Sequence, residues 1–362
     1  MSGHRRLLGS AAALATGTLL APALRARDGR GVDAGALDPP VSPVGSVEVI
    51  ERPDGARLHA VVSGRATMPG SPTFVFTHGL SCDHRLWAYQ ARLLGEIGRV
   101  VTWDMRGHGA STVGDAPVAR ALRPAVLTAD LAAVVTQLAS GQLATGPLFL
   151  IGHSLGGMVS QMALRDYSAV RERTIGAALI ASPICDISRA TMAGPRVGSG
   201  GIDSPGVRLL FGWMAGDPRV HRWFLDPVSS RARGYAALRV GGFGPRPSPA
   251  HIESLRAQIA ATPPAVRHAT LAGMSGVDLR GTLHGVTTPT LVFSGGRDRL
   301  VSPGHAAAWM NELPNARAVP FASAGHAVVF ERHAAITRRI ALLAAETIGG
   351  VTDLDAILSA TQ

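Results

Sequence analysis

Three side chains in this sequence have the types and spacing to attack a carbonyl carbon together and break its bond to a leaving group. The first is Ser154, within Gly152-His153-Ser154-Leu155-Gly156-Gly157, directly after the apolar run Leu148-Phe149-Leu150-Ile151. A strand that turns sharply at a serine needs glycine on both sides, because a Cβ there would collide with the adjoining helix or strand; the turn then pushes the hydroxyl outward. Leu155 to Arg165 carries apolar residues at helical spacing, completing the order strand, elbow, helix. A serine hydroxyl is a poor nucleophile at neutral pH and needs a base within hydrogen-bond reach, itself held by a third group. Asp298 follows the apolar run Thr290 to Phe293, and His326 follows the last apolar run, in Ala324-Gly325-His326. His305 and His333 are rival bases, but both fall inside predicted helices, and Asp186 is a rival acid placed after Ala177 to Ala181.

The surrounding pattern supplies elements to position these groups. Val47 to Glu51 and Arg57 to Val62 flank Pro53-Asp54-Gly55, a hairpin signal. Apolar runs at Thr73 to Thr77, Arg99 to Trp103, Leu148 to Ile151, Ala177 to Ala181 and Thr290 to Phe293 lack polar alternation and predict strands covered on both faces, with Ala316 to Pro320 as a final strand. Leu86 to Leu94, Leu127 to Ala139, Leu155 to Arg165, Pro303 to Leu313 and Val328 to Leu343 predict helices. The fold class is therefore α/β, a mostly parallel sheet flanked by helices. Alternation breaks between about Pro183 and Val286, where Leu209, Leu210, Trp213, Met214, Trp223 and Phe224 fall into short amphipathic pieces. This stretch reads as a helical cap inserted before the strand that carries the acid, with its aromatics packing the cap interior.

Composition narrows the class. The chain has 362 residues and 46% hydrophobic content, enough for one large α/β domain with an insertion. The net charge is +10, yet all 35 basic residues are arginine, scattered without runs or interleaved aromatics, so nucleic acid is not an expected partner. Arg5 and Arg6 precede the uncharged stretch Leu7 to Leu24, and Ala21-Pro22-Ala23 offers a cleavage site, so residues 1–26 read as a signal peptide that partly resembles twin-arginine leaders. The expectation is an exported protein, with peripheral envelope association as an option, and otherwise a cytoplasmic one. Residues 27–45 form a linker, 46–183 and 286–346 the core, 184–285 the cap and 347–362 a C-terminal extension. Cys82 and Cys185 follow strands that are not expected to be adjacent, which favours two free thiols over a disulfide.

Taken together, His78-Gly79-Leu80, Trp103-Asp104-Met105-Arg106-Gly107-His108-Gly109, Gly152 to Gly157, the Asp298 loop and Gly325-His326 resemble, in order and spacing, the α/β-hydrolase fold superfamily, of the capped serine esterase or lipase type. The resemblance covers about Val47 to Leu343. It implies an eight-stranded sheet and a triad of Ser154, His326 and Asp298. It also implies an oxyanion hole made by the backbone N–H groups of Leu80 and Leu155, where losing one donor typically costs about 10²–10³ in rate. Asp104, His108, His78 and His153 take structural roles in such a protein. The implied chemistry is a covalent acyl-enzyme released by water, without metal or organic cofactor, acting on a small, apolar ester. A serine elbow excludes the epoxide hydrolases and haloalkane dehalogenases of this fold, which use aspartate. Other reactions of the same machinery remain open: C–C bond or lactone hydrolysis, cofactor-free perhydrolysis, acyl transfer, or ligand binding without turnover. Neither the cysteines nor the histidines show zinc-ligand spacing, and oligomeric state is not legible.

Overall fold

A computed structural model describes residues 41–65, 71–138, 146–185 and 230–349. The expected signal peptide, part of the linker, Asp186, the cap residues from Leu209 to Phe224 and the C-terminal extension beyond residue 349 lie outside the described residues. Eight strands form one sheet: β1 (Ser46–Glu51), β2 (Arg57–Gly64), β3 (Thr73–Thr77), β4 (Arg99–Trp103), β5 (Leu148–His153), β6 (Thr174–Ile180), β7 (Thr290–Gly295) and β8 (Ala316–Phe321). Their order across the sheet is β1-β2-β4-β3-β5-β6-β7-β8. β2 runs antiparallel to both β1 and β4, and every other pairing is parallel.

The apolar runs are continuous because each strand feeds two cores. Phe74 and Phe76 of β3, Val100 of β4, and Phe149 and Ile151 of β5 enter one cluster, while Val75, Val101, Trp103, Leu148 and Leu150 enter the other. Successive side chains of a strand point to opposite faces, so a strand covered on both sides can spare no polar position. One face is covered by α3 (Pro124–Leu138) and α4 (Leu155–Asp166), the other by α1 (Ala88–Leu94) and α11 (His333–Ile348). Each fully buried leucine or phenylalanine here contributes roughly 1.5–3 kcal/mol of transfer free energy. β1 and β8 lie at the sheet edges and are the exceptions, with Val47 and Val49 exposed on β1 and Arg317, Ala318 and Pro320 on β8.

Short helices fill the remaining connections: α2 (Val118–Ala121), α5 (Ser168–Arg171), α9 (Gly304–Glu312) and α10 (Val328–Glu331). Two expected helices differ in detail. Leu86 to Leu94 is a 3-10 turn, His84–Trp87, followed by α1, with Asp83 capping the turn through Arg85 N–H. Val328 to Leu343 is broken into α10 and α11 at Arg332, whose φ of −135° and ψ of 35° leave the helical region. The Arg332 guanidinium donates to Glu331 O at 2.6 Å and to Ser323 Oγ at 2.7 Å, tying the break to the loop that carries His326.

Between β6 and β7 the insertion is helical where described: α6 (Arg231–Gly241), α7 (Pro249–Ala261) and α8 (Pro264–Met274). Ile252 and Leu255 of α7 join one core cluster, and Val266 and Met274 of α8 join the other. Neither Cys82 nor Cys185 is in a disulfide. Among the described residues, no helix is long and apolar enough to cross a membrane.

Candidate active site

The elbow is built as its glycines require. A Cβ on Gly152 would stand 2.4 Å from Gly157 N, and one on Gly156 would stand 2.1 Å from Thr77 O. Backbone therefore passes backbone on both sides of Ser154, which itself adopts φ 51° and ψ −120°. A positive φ in a non-glycine residue costs of order 1–3 kcal/mol and persists only where neighbours over-determine it. They do so here: Ser154 N–H donates to Ile180 O at 2.9 Å, Ser154 O accepts from Ser182 Oγ at 2.9 Å, and Trp309 Nε1 holds Ser182 O at 2.9 Å. Ala181, between those anchors, also takes a positive φ, of 47°.

Asp298 and His326 come from the loops after β7 and β8 and meet side chain to side chain. His326 Nδ1 lies 2.9 Å from Asp298 Oδ2, while Asp298 Oδ1 accepts the N–H groups of Leu300 and Val301, each at 2.8 Å. With both oxygens engaged, the carboxylate cannot rotate, and the imidazole is held as a donor at Nδ1 with Nε2 available. No hydrogen bond joins the Ser154 hydroxyl to His326 among the described residues. Instead His153 Nε2 donates to His326 O at 3.1 Å, and the two rings lie 4.9 Å apart. Nucleophile and base commonly stand apart in ligand-free enzymes and close on the substrate. Burial pushes His153 down to about 3, so its ring is neutral and acts as scaffold.

The segment expected to supply an oxyanion donor packs against the elbow. A Cβ on Gly79 would fall 2.7 Å from His153 Nδ1 and 3.3 Å from Ser154 Cβ. His78 Nε2 accepts Met105 N–H at 2.9 Å, so its hydrogen is on Nδ1 and is donated to Gly79 O at 2.8 Å; Cys82 N–H reaches the same oxygen at 3.1 Å. Anchoring the Gly79 carbonyl on one side sends the Leu80 N–H to the other side of the same trans peptide. Leu155 opens α4, where the first N–H groups have no intrahelical acceptor. His78 is fully buried, and desolvation lowers its pKa, which keeps it neutral.

The rivals are placed elsewhere. His305 Nδ1 accepts Ile184 N–H at 3.3 Å, and His333 stacks on Tyr89 at 4.1 Å. Burial pushes His333 down to about 4 and His108 to about 3. Arg106 is gripped by Asp130 through Nε at 2.8 Å and Nη2 at 2.9 Å, and also by Asp54, which fixes the turn that contains Asp104 and His108.

Two features near the site have no signature in the sequence. Glu331 accepts Gly325 N–H at 2.7 Å and Gly244 N–H at 2.8 Å, so one buried carboxylate fixes the residue before His326 and ties it to the inserted region. Gln258 Oε1 on α7 accepts Asp83 N–H at 3.3 Å, and Thr262 Oγ1 donates to Ser81 O at 3.2 Å; both touch the loop just after Leu80. Apart from Glu331 and Gly325, six residues apart, these contacts join residues distant in the chain.

A serine on a strained strand-to-helix turn, at the carboxyl edge of a mostly parallel eight-stranded sheet with a histidine and a carboxylate on later loops, defines a hydrolase of the α/β type. The chain belongs to the alpha/beta hydrolase family, whose family model matches residues 74–339. It is 29% identical to a pimeloyl-[acyl-carrier protein] methyl ester esterase of Nitrosomonas europaea over 75% of this chain and 93% of that protein. It is 25% identical to 3-oxoadipate enol-lactonase 1 of Acinetobacter baylyi over 71% of this chain and 82% of that one. Among solved structures, an esterase from Rhodococcus sp. superposes with a TM-score of 0.63 at 23% identity, covering 83% of this chain and 99% of that chain.

Proposed function

We propose that the chain hydrolyses carboxylic esters of small, apolar molecules through an acyl-enzyme on Ser154. The observation that carries this reading is the Asp298–His326 pair, held at 2.9 Å beside the strained elbow that presents Ser154. In the proposed cycle His326 Nε2 takes the Ser154 proton as Oγ attacks the carbonyl carbon. The resulting oxyanion sits on the Leu80 and Leu155 N–H groups. His326 then protonates the departing alcohol, and water activated by the same nitrogen releases the acid. Asp298 stabilises the imidazolium without taking its proton.

The similarity to an esterase and to an enol-lactonase supports attack on an ester carbonyl, since a lactone is an internal ester. A chain-length series of p-nitrophenyl esters, with a lactone alongside, tests the reading. Wild type is expected to release p-nitrophenol with an optimum at short or medium chains, and Ser154→Ala to lose about 10⁴-fold or more. Equal rates in the two proteins, or no turnover of any ester, would sink it. Export is part of the same proposal, resting on residues 1–26; a reporter fused to them should leave the cytoplasm, and replacing Arg5 and Arg6 should retain it.

A further inference from the structure

We infer that His59, His84 and Asp104 bind one divalent transition-metal ion of the zinc type. His59 comes from β2, His84 opens the 3-10 turn after the Leu80 loop, and Asp104 follows β4. His59 is 45 residues and His84 20 residues from Asp104 along the chain; the pairing of β2 with β4 brings His59 to Asp104, and the turn after β3 brings His84.

The donor atoms are arranged as an ion would need them. His59 Nδ1 lies 3.1 Å from Asp104 Oδ2, His84 Nδ1 lies 2.9 Å from Asp104 Oδ1, and the potential ligand atoms of the three residues all lie within 4.8 Å of one another. Zinc bonds to nitrogen and oxygen are about 2.0–2.2 Å, so donors this far apart subtend about 90° at the ion. An ion held by the two imidazoles would have the Asp104 carboxylate as its third protein ligand. Two imidazoles and a carboxylate suit zinc, copper or nickel, and lack the all-oxygen shell that calcium or magnesium prefers.

The outer shell is already fixed. Asp104 Oδ1 also accepts His84 N–H at 2.7 Å, and Oδ2 accepts Ala110 N–H at 3.0 Å, so the carboxylate is oriented independently of the imidazoles. His59 is held through its backbone: its carbonyl accepts Asp104 N–H at 2.9 Å and its N–H meets Ser111 Oγ at 2.9 Å. The carboxylate is fully buried while the imidazole side chains are 17% and 16% exposed, so solvent reaches the cluster along the two rings. Asp83 is no competitor, since Arg85 occupies both its oxygens. Other close histidine pairs differ: His78 and His108 spend Nδ1 on backbone carbonyls.

Without an ion, each Nδ1 carries the hydrogen it shares with the carboxylate. Binding moves that hydrogen to Nε2, or releases it to solvent from an imidazolium, and frees the Nδ1 lone pair. The bound ion would staple β2 and the end of β4 to the turn that closes the Leu80 loop.

The test uses the full chain, stripped with a chelator and titrated with Zn²⁺, with Co²⁺ as a spectroscopic probe. The expected result is one ion per chain at micromolar or tighter affinity, a rise in Tm with Zn²⁺ by mass action, and an X-ray absorption shell of nitrogen and oxygen that includes imidazole. His59→Gln and His84→Gln should each weaken binding by about 100-fold or more, while His284→Gln, at an exposed histidine, should not. Absence of Zn²⁺ binding by the folded wild type overturns the proposal. So does a sulfur-containing shell, or unchanged affinity in both variants. The wild-type stoichiometry and absorption shell decide the matter even if a variant fails to fold.

Discussion

Two imidazole–carboxylate clusters sit at the carboxyl edge of the sheet, built from the same contacts to different ends. At Asp298 a single imidazole is held at 2.9 Å and backbone amides fill the other oxygen, so one ring nitrogen remains uncommitted. At Asp104 two imidazoles and two backbone amides converge on one carboxylate. Burial alone would raise the Asp104 pKa, but the hydrogen bonds from His59 and His84 outweigh it and hold the carboxyl well below the usual carboxylate range. An open imidazole beside a nucleophile can move protons, whereas a carboxylate saturated from both sides can organise a loop or an ion. The difference between chemistry and architecture thus lies in the neighbour: His326 stands beside the elbow that carries Ser154, whereas His59 and His84 both close on one buried carboxylate.

If that contrast is right, perturbing the two clusters should have unlike consequences. His326→Ala should lower kcat/KM for an ester by about 10⁴-fold or more, about 5.5 kcal/mol, with little change in urea midpoint. A loss of only tenfold would show that His326 is not the base. Asp104→Asn should act first on stability, by about 3 kcal/mol, since one oxygen becomes a donor facing donors in a buried site; an unchanged urea midpoint would remove the architectural side of the comparison. Gly79→Ala, whose new Cβ would press on His153 Nδ1 and Ser154 Cβ, should cost about 10²-fold in kcat by displacing the Leu80 amide. A steady-state assay with unaltered KM would sharpen the assignment.

The smallest effect is expected at Glu331. Burial holds its carboxyl above its ordinary value of 4.5, although the Gly325 and Gly244 amides pull the other way. The folded chain therefore keeps this proton more tightly than the unfolded one, and stability falls as pH rises from 4.5 through the raised folded value. Glu331→Gln should remove that slope from urea midpoints measured against pH, and lower kcat about tenfold by loosening the His326 loop. An identical slope in the variant would mean another group supplies it.

Most of the frame was legible because local rules determine it. Strands covered on both faces must be continuously apolar, and the elbow glycines are demanded by backbone contacts as close as 2.1 Å for a hypothetical Cβ. The chain order of Ser154, Asp298 and His326 followed from which apolar runs they trail. What escaped depends on long-range placement. The break at Arg332 arises from a guanidinium reaching Ser323, which helical periodicity does not register. Glu331, Gln258 and Thr262 act through backbone groups of distant segments, and no side-chain pattern announces them. The cluster of His59, His84 and Asp104 has no metal-like spacing because its residues ride on β2, the turn after β3 and the residue after β4, which the chain brings together only in the folded sheet.

The central claim is that Ser154 is a nucleophile activated by His326, and covalent labelling tests it most directly. Wild type, His326→Ala and Ser154→Ala would be treated with a fluorophosphonate and the adduct located by peptide mass spectrometry. The account predicts rapid modification of Ser154 alone in wild type, a rate slowed by several orders of magnitude in His326→Ala, and no adduct in Ser154→Ala. Modification at another residue, or of Ser154 at the same rate without His326, would contradict it.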